Sequence, residues 1–315
     1  MASLLNKIRY GNHLQTAGAT RSIMLMLVAF FLFSIQDVII KILSDDYALM
    51  QIVLIRTLFT LPIVFTILHF DGGLATLRTS ALKLQLARGL AMFLAYIFFY
   101  MALATLPFSL HIALFFSSPL FITILSAPLL GEQVGWRCWL AVLVGFGGVL
   151  VIVDPRGVSF EPATLFTLAS ALMYALSIIA TRKLDDRASS ITVYTALVYL
   201  AGASLLSPIF ANIDMSSAHP TIAFLTMAWP TPLLKDILLI LLISIFWGTG
   251  MVMLSSAYSK TAVATLAPFE YFTIFYGILF GYMIWGEIPS LIMIIGVALI
   301  VSSGLFIIYR ENRAQ

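Results

Sequence analysis

Apolar residues run along this chain in stretches of about twenty, broken by short polar links, and the length of those stretches sets the first expectation. An α-helix crosses the hydrocarbon core of a bilayer with roughly 20 predominantly apolar residues. The stretches of that length are Ile23–Leu43, Leu49–Phe70, Leu84–Thr105, Phe108–Leu129, Val134–Val153, Pro162–Thr181, Ile191–Ala211, Ile237–Tyr258, Ala262–Tyr282 and Pro289–Tyr309. They predict ten spans. The links carry helix breakers, among them Asp71-Gly72-Gly73, Asp154-Pro155-Arg156-Gly157 and Trp229-Pro230-Thr231-Pro232. The link from Asn212 to Lys235 is the long one, with room for a short surface helix.

Composition sharpens this. The 315 residues are 61% hydrophobic and 10% charged, whereas soluble domains carry about 25% charged residues. Most of the surface therefore has a solvent other than water, and membrane lipids are the expected partners. The first apolar run follows the basic residues Lys7, Arg9 and Arg21 without a small-residue cleavage site, and reads as a retained span. Lys and Arg favour cytoplasmic loops. With the N-terminus inside, that side collects Lys7, Arg9, Arg21, Arg78, Lys83, Arg88, Arg137, Arg182, Lys183, Arg187, Lys260, Arg310 and Arg313, leaving Lys41, Arg56, Arg156 and Lys235 of the 17 basic residues. The expected topology is a multi-pass inner-membrane protein with both termini cytoplasmic. The formal charge of +3 calls for no nucleic-acid partner. The single cysteine, Cys138, excludes a disulfide framework, and no Cys/His group has metal-ligand spacing.

The fourth and ninth spans end alike, on Leu130-Gly131-Glu132 and Trp285-Gly286-Glu287, and each follows an Ala- and Thr-rich segment containing a proline. This predicts two five-helix units. Five is odd, so the second unit sits inverted relative to the first, the plan in which secondary carriers place a solute site near the midplane between halves. The expected division is a cytoplasmic tail over residues 1–22, repeats over 23–153 and 162–309, and a cytoplasmic tail over 310–315. Glu132 and Glu287 are expected to hold the N-terminus of the helix that follows each.

The segments Phe116-Ser117-Ser118-Pro119-Leu120-Phe121 through Gly131-Glu132, Trp139 to Val153, and Ala267-Pro268-Phe269-Glu270-Tyr271 through Gly286-Glu287 carry a family likeness. Ser34-Ile35-Gln36-Asp37-Val38 with Lys41, Arg56, and Ala87-Arg88-Gly89-Leu90 add to it. Together they resemble the drug/metabolite transporter superfamily, in its ten-helix members with two EamA-type repeats, and most of all bacterial carriers of the S-adenosylmethionine and riboflavin kind. At Glu270 the chain departs from the S-adenosylmethionine carriers, which tend to have a basic residue there. The resemblance implies a central cavity lined by the first, third, fourth, sixth, eighth and ninth helices.

A charge at the bilayer centre costs about 2.5–3.5 kcal/mol on insertion scales, so ionisable groups inside spans should face the bundle interior. Glu270, with Tyr271 and Tyr276 on the same span, reads as a cation- or proton-binding group, with a structural ion pair as the alternative. Asp37 and Lys41 stand one helical turn apart, where an i,i+4 pair can touch, and with Arg56 they predict a salt-bridge cluster pinning the first two spans; an outer gate is the alternative. Arg88 reads as an anchor snorkelling to the headgroups, or else as a contact to an anionic group of the solute. His111 reads as a hydrogen-bonded histidine that could titrate near neutral pH. Tyr96, Phe99, Tyr100, Tyr174, Trp247 and Tyr271 are candidates to stack on a planar or cationic solute. Gly277 with Gly281 and Ala141 with Gly145 form small-residue pairs for close helix packing.

The expected function is a secondary carrier of a small organic metabolite, cationic, zwitterionic or planar and heterocyclic, with no catalytic residues and no cofactor. A homo-oligomer is compatible with the pattern. An efflux carrier of the same fold is the alternative. An intramembrane enzyme is remote, because His13, His69, His111 and His219 are scattered rather than clustered with a nucleophile. A channel would show charge rings or filter loops, and neither is present.

Overall fold

The computed structural model describes residues 2–131, 135–153, 161–213, 219–260, 266 and 269–314. Among them the regular structure is helical. The α-helices are α1 (Ala2–Leu43), α2 (Leu49–Phe70), α3 (Leu82–Leu103), α4 (Phe108–Phe115), α5 (Ser118–Leu130), α6 (Trp136–Val153), α7 (Ala163–Thr181), α8 (Ala188–Ala211), α9 (Pro220–Thr226), α10 (Leu234–Lys260), α11 (Phe272–Trp285) and α12 (Leu291–Ala314), with a 3-10 turn at Leu74–Leu77. Among the described residues, eight segments are long and apolar enough to cross a bilayer: Thr20–Leu43, Leu49–Phe70, Leu82–Leu103, Phe108–Leu130, Trp136–Val153, Ala163–Thr181, Ala188–Phe210 and Leu234–Leu254. Phe272–Trp285 and Leu291–Ile307 are shorter apolar helices. This is an all-helical, multi-pass membrane protein. The expected starts of the fifth and ninth spans, together with Glu132 and Pro268, lie outside the described residues.

Two expected spans are not continuous. The fourth is broken at Phe116 and Ser117 into α4 and α5. Pro119 has no N–H to donate to the carbonyl of Phe115, and its ring crowds that carbonyl, which favours a restart that places Pro119 in the first turn of α5. Ser117 and Ser118 at the break are 0% and 5% exposed, as required where non-helical backbone sits at membrane depth. In the ninth, Phe269 and Glu270 are helical, a turn falls at Tyr271, and α11 begins at Phe272. Both α5 and α11 then end on a glycine in the left-handed region, Gly131 at φ 72° and Gly286 at φ 68°, the conformation that closes a helix most cheaply with glycine.

The long link holds α9 as expected, but that helix is not a bare surface element. Thr221, Phe224 and Leu225 are buried, and the Thr221 and Thr105 hydroxyls are hydrogen-bonded at 2.9 Å. The principal packing partners are α3 with α7, α6 with α12, α1 with α10 and α2 with α8, followed by α5 with α7, α3 with α8, α2 with α10, α4 with α11 and α1 with α11. Small residues set the closest of these approaches. A Cβ on Gly148 would stand 2.7 Å from the Gly296 carbonyl and 2.8 Å from Leu299 Cβ, whereas one on Gly147 would meet nothing within 4 Å. Overpacking of this kind costs about 1–3 kcal/mol. Gly148→Ala should therefore lower the melting temperature of the detergent-solubilised protein, while Gly147→Ala leaves it unchanged or raises it; equal behaviour of the two would mean that α6 and α12 do not meet in this way.

Candidate functional site

The interior of the bundle is built around a carboxylate, a guanidinium and a cluster of rings in tilted and edge-on contact. Asp37 on α1 is 8% exposed and accepts a 2.5 Å hydrogen bond from the Tyr100 hydroxyl of α3. That hydroxyl in turn accepts from Gln36 Nε2 at 3.0 Å. These two bonds fix the Asp37 side chain against the third helix. One turn back on α3, the Tyr96 ring lies 4.3 Å from that of Tyr100 and 5.3 Å from that of Tyr199 on α8.

Arg56 on α2 is 2% exposed. Its guanidinium carbon stands 4.4 Å from the centre of the Tyr96 ring, 5.5 Å from Trp247 of α10 and 5.7 Å from Tyr199. A guanidinium over aromatic faces is attracted by their quadrupoles, more strongly when desolvated. Its Nε and Nη1 atoms, however, have no hydrogen-bond acceptor among the described residues.

The expected ion cluster of Asp37, Lys41 and Arg56 does not form. Lys41 shares a face of α1 with Asp37 but reaches past it, and its Nζ donates at 2.6 Å to each of the Leu103 and Leu106 carbonyls. The first is an orphan acceptor at the end of α3, and the second lies in the link three residues beyond it. The Lys41 ammonium also lies 5.4 Å from the Trp285 ring. Asp37 and Arg56 interact through space without an ion-pair contact. The hydroxyl of Tyr100 and the aromatic cage have taken the places that the expected salt bridges would occupy.

Arg88 is likewise not a snorkelling anchor. It is 6% exposed, and its side chain donates to the Thr181 hydroxyl at 2.7 Å, the Thr195 hydroxyl at 2.7 Å and the Ile191 carbonyl at 3.4 Å. It fastens α3 to the end of α7 and the start of α8. His111 is fully buried, with Nδ1 2.9 Å from the Thr167 hydroxyl and its ring 4.2 Å from that of Phe99. Its Nε2 lacks a partner among the described residues.

A second group surrounds the two helix breaks. Phe116 and Tyr271 face each other at 5.6 Å, and Phe115 contacts Tyr174 of α7 at 5.5 Å. Glu270 is half-buried and acts electrostatically on both Tyr174 and Tyr271. The Phe99 ring, 5.0 Å from Tyr100 on one side and 5.0 Å from Phe115 on the other, links the two groups. An aromatic path thus runs from Tyr199 through Tyr96, Tyr100, Phe99 and Phe115 to Tyr174, with Trp247 joined to it across Arg56.

Glu287 binds elsewhere than expected. Its carboxylate accepts from the backbone N–H groups of Phe108 at 2.6 Å and Ser109 at 2.9 Å, and from the Ser109 hydroxyl at 2.8 Å. It caps α4, across the bundle, instead of the helix that follows it.

Sequence reasoning missed Tyr199, Gln36 and the cage around Arg56. Gln36 carried a signal, being a second polar residue beside Asp37 inside an apolar run. Tyr199 carried none, since one tyrosine in a span does not announce which neighbour it faces. The site also draws on α2 and α8, which the expected cavity lining left out.

Residues 20–154 match the EamA-like transporter family. The S-adenosylmethionine uptake transporter of Rickettsia bellii is 26% identical over 284 residues, covering 90% of this chain and 91% of that protein. The riboflavin transporter of Rhizobium johnstonii is 29% identical over 260 residues, covering 82% of this chain and 79% of its own length. That of Vibrio cholerae is 26% identical over 294 residues, covering 91% and 93%. A solved crystal structure aligns with 96% of this chain and all of its own at TM-score 0.63 and 18% identity, a likeness of fold.

Proposed function

We propose, from the premise that residues 20–154 match the EamA-like transporter family and that the chain aligns over most of its length with metabolite carriers, that the protein is a secondary carrier. It moves a small organic metabolite across the cytoplasmic membrane by alternating access. The observation that carries this reading is the buried pairing of Asp37 with Tyr100, set beside the guanidinium of Arg56 and the rings of Tyr96, Tyr199 and Trp247. Charges this deep in a bilayer are costly and characteristically serve a solute pathway. Rings at both ends suit a planar heterocycle, and the carboxylate suits a cationic centre on it.

The packing supports ten spans in two inverted halves, taking α4 with α5 as the fourth and Phe269, Glu270 and Tyr271 with α11 as the ninth. Exchanging each span for the one five places along turns the α3–α7 contact into α10–α1 and the α3–α8 contact into α10–α2. The α2–α8, α6–α12 and α4–α11 contacts map onto themselves. The paired breaks and the paired glycine caps fall in the same register. In this reading both termini are cytoplasmic, Asp37 lies toward the outer half and Glu270 toward the inner half, and the broken fourth and ninth helices meet near the midplane, as in inverted-repeat carriers.

The test is thermal stabilisation of the purified protein by a panel of flavins, adenosyl compounds, amino acids and quaternary amines. A ligand at 100 times its Kd contributes about 2.7 kcal/mol, a measurable rise in melting temperature. At least one planar, charged compound should produce it, and Tyr96→Ala should abolish it. A panel without effect, or an effect indifferent to Tyr96, would oppose this placement of the site.

A further inference from the structure

Two buried arginines serve the bundle very differently. Arg88 has three hydrogen bonds to hydroxyl and carbonyl oxygens of α7 and α8, which is how a structural arginine at this depth is satisfied. Arg56 is buried more deeply, at 2% exposure, yet Nε and Nη1 are sealed from solvent with no acceptor among the described residues. Tyr96, Tyr199 and Trp247 satisfy its charge partly through their faces, but a ring face offers no lone pair for an N–H. The opposite charge nearby is Asp37, and Tyr100 holds that carboxylate without an ion-pair contact to the guanidinium. A buried donor without a partner destabilises the fold, more so when it is charged. Such an atom in a folded protein needs an explanation in strain, water or a ligand.

We propose that Arg56 is the docking point for a carboxylate carried by the transported solute, so that the solute is a planar zwitterion rather than a simple cation. The proposal rests on the carrier reading above. A planar guanidinium matches a carboxylate in shape and hydrogen-bond direction, which an ammonium does not. Asp37 then takes the solute's cationic centre, and the rings of Tyr96 and Tyr100, lying between the two charges, take its planar part. The solute's oxygens supply the acceptors that these buried donors lack within the bundle. Holding Asp37 on Tyr100 prevents the two charges from collapsing onto each other when the site is empty.

The experiment uses the full-length protein in proteoliposomes and two matched pairs of probes, S-adenosylmethionine with its decarboxylated form and tryptophan with tryptamine. Riboflavin serves as a planar probe without a carboxylate. Breaking a buried, hydrogen-bonded charge contact typically weakens binding about 30-fold or more. In at least one pair the carboxylate-bearing member should compete about 30-fold better than its partner. Arg56→Gln should erase that preference by weakening the carboxylate member alone, and Arg56→Lys should retain part of it. Equal competition within both pairs on the wild-type protein would overturn the proposal even if Arg56→Gln failed to fold. So would unchanged discrimination in a folded Arg56→Gln protein. Binding of riboflavin alone, with Arg56→Gln equal to wild type, would remove this proposal and leave the carrier reading standing. Failure of every probe to bind would count against both.

Discussion

Asp37→Asn should reduce solute flux about 100-fold while leaving the protein folded. The carboxylate is almost wholly buried and is held by one short hydrogen bond from Tyr100. Asparagine keeps an acceptor oxygen at the same place, so the net cost to the fold is about 1 kcal/mol, the worth of a typical hydrogen bond. What disappears is the negative charge, and removal of a buried counter-charge weakens a bound partner by about 2–5 kcal/mol. Tyr100→Phe should behave differently. It leaves the Asp37 carboxylate and the Gln36 amide without the hydroxyl that joins them, at about 1–3 kcal/mol for each unsatisfied group, and should lower thermal stability together with flux. If Asp37→Asn transported normally and only Tyr100→Phe were impaired, Asp37 would be a structural fastening between α1 and α3.

The second large effect is on stability. Glu287→Ala should destabilise the protein by about 3 kcal/mol, because it strips two backbone N–H groups and a serine hydroxyl of a common charged acceptor. A charged cap at a helix N-terminus gains from both hydrogen bonding and the helix dipole. The Glu287→Gln variant keeps one acceptor oxygen, and its loss should fall to about 1 kcal/mol. Unfolding in denaturant distinguishes the two substitutions. The contact matters beyond its energy because it ties the start of α4 to the turn after α11. An equal, small effect of both variants would mean that water caps α4 just as well.

Much of this architecture was legible in the sequence because the bilayer forces it to be. Apolar runs such as Leu49–Phe70 coincide with the observed helix from end to end, since a span must be apolar along its whole length. The breaks were harder to read. Pro119 and Ser117 lie in a run that hydropathy counts as continuous, and a proline alone does not mark the break, since α2 runs on through Pro62 and α8 through Pro208. The site was legible in its residue types and not in its pairings. Asp37, Arg56, Tyr96, Tyr100 and Trp247 stand out as polar or aromatic residues inside spans, but spacing along one helix suggested that Asp37 pairs with Lys41. Across the bundle Asp37 meets Tyr100, and Lys41 is drawn to the Leu103 and Leu106 carbonyls at and just beyond the end of α3. Side chains long enough to reach a neighbouring helix choose among partners that no single-helix periodicity reveals. Glu287 is the same case, since it follows a glycine cap at the end of its own helix yet binds the start of another.

The most direct test of the carrier reading is counterflow. Proteoliposomes preloaded with an excess of an unlabelled solute that stabilises the protein are diluted into a trace of the labelled solute. Alternating access predicts transient accumulation of label above equilibrium, saturable in solute and lost in Asp37→Asn. Label that only equilibrates, at a rate indifferent to preloading and to Asp37, would contradict a carrier with its solute site at this carboxylate.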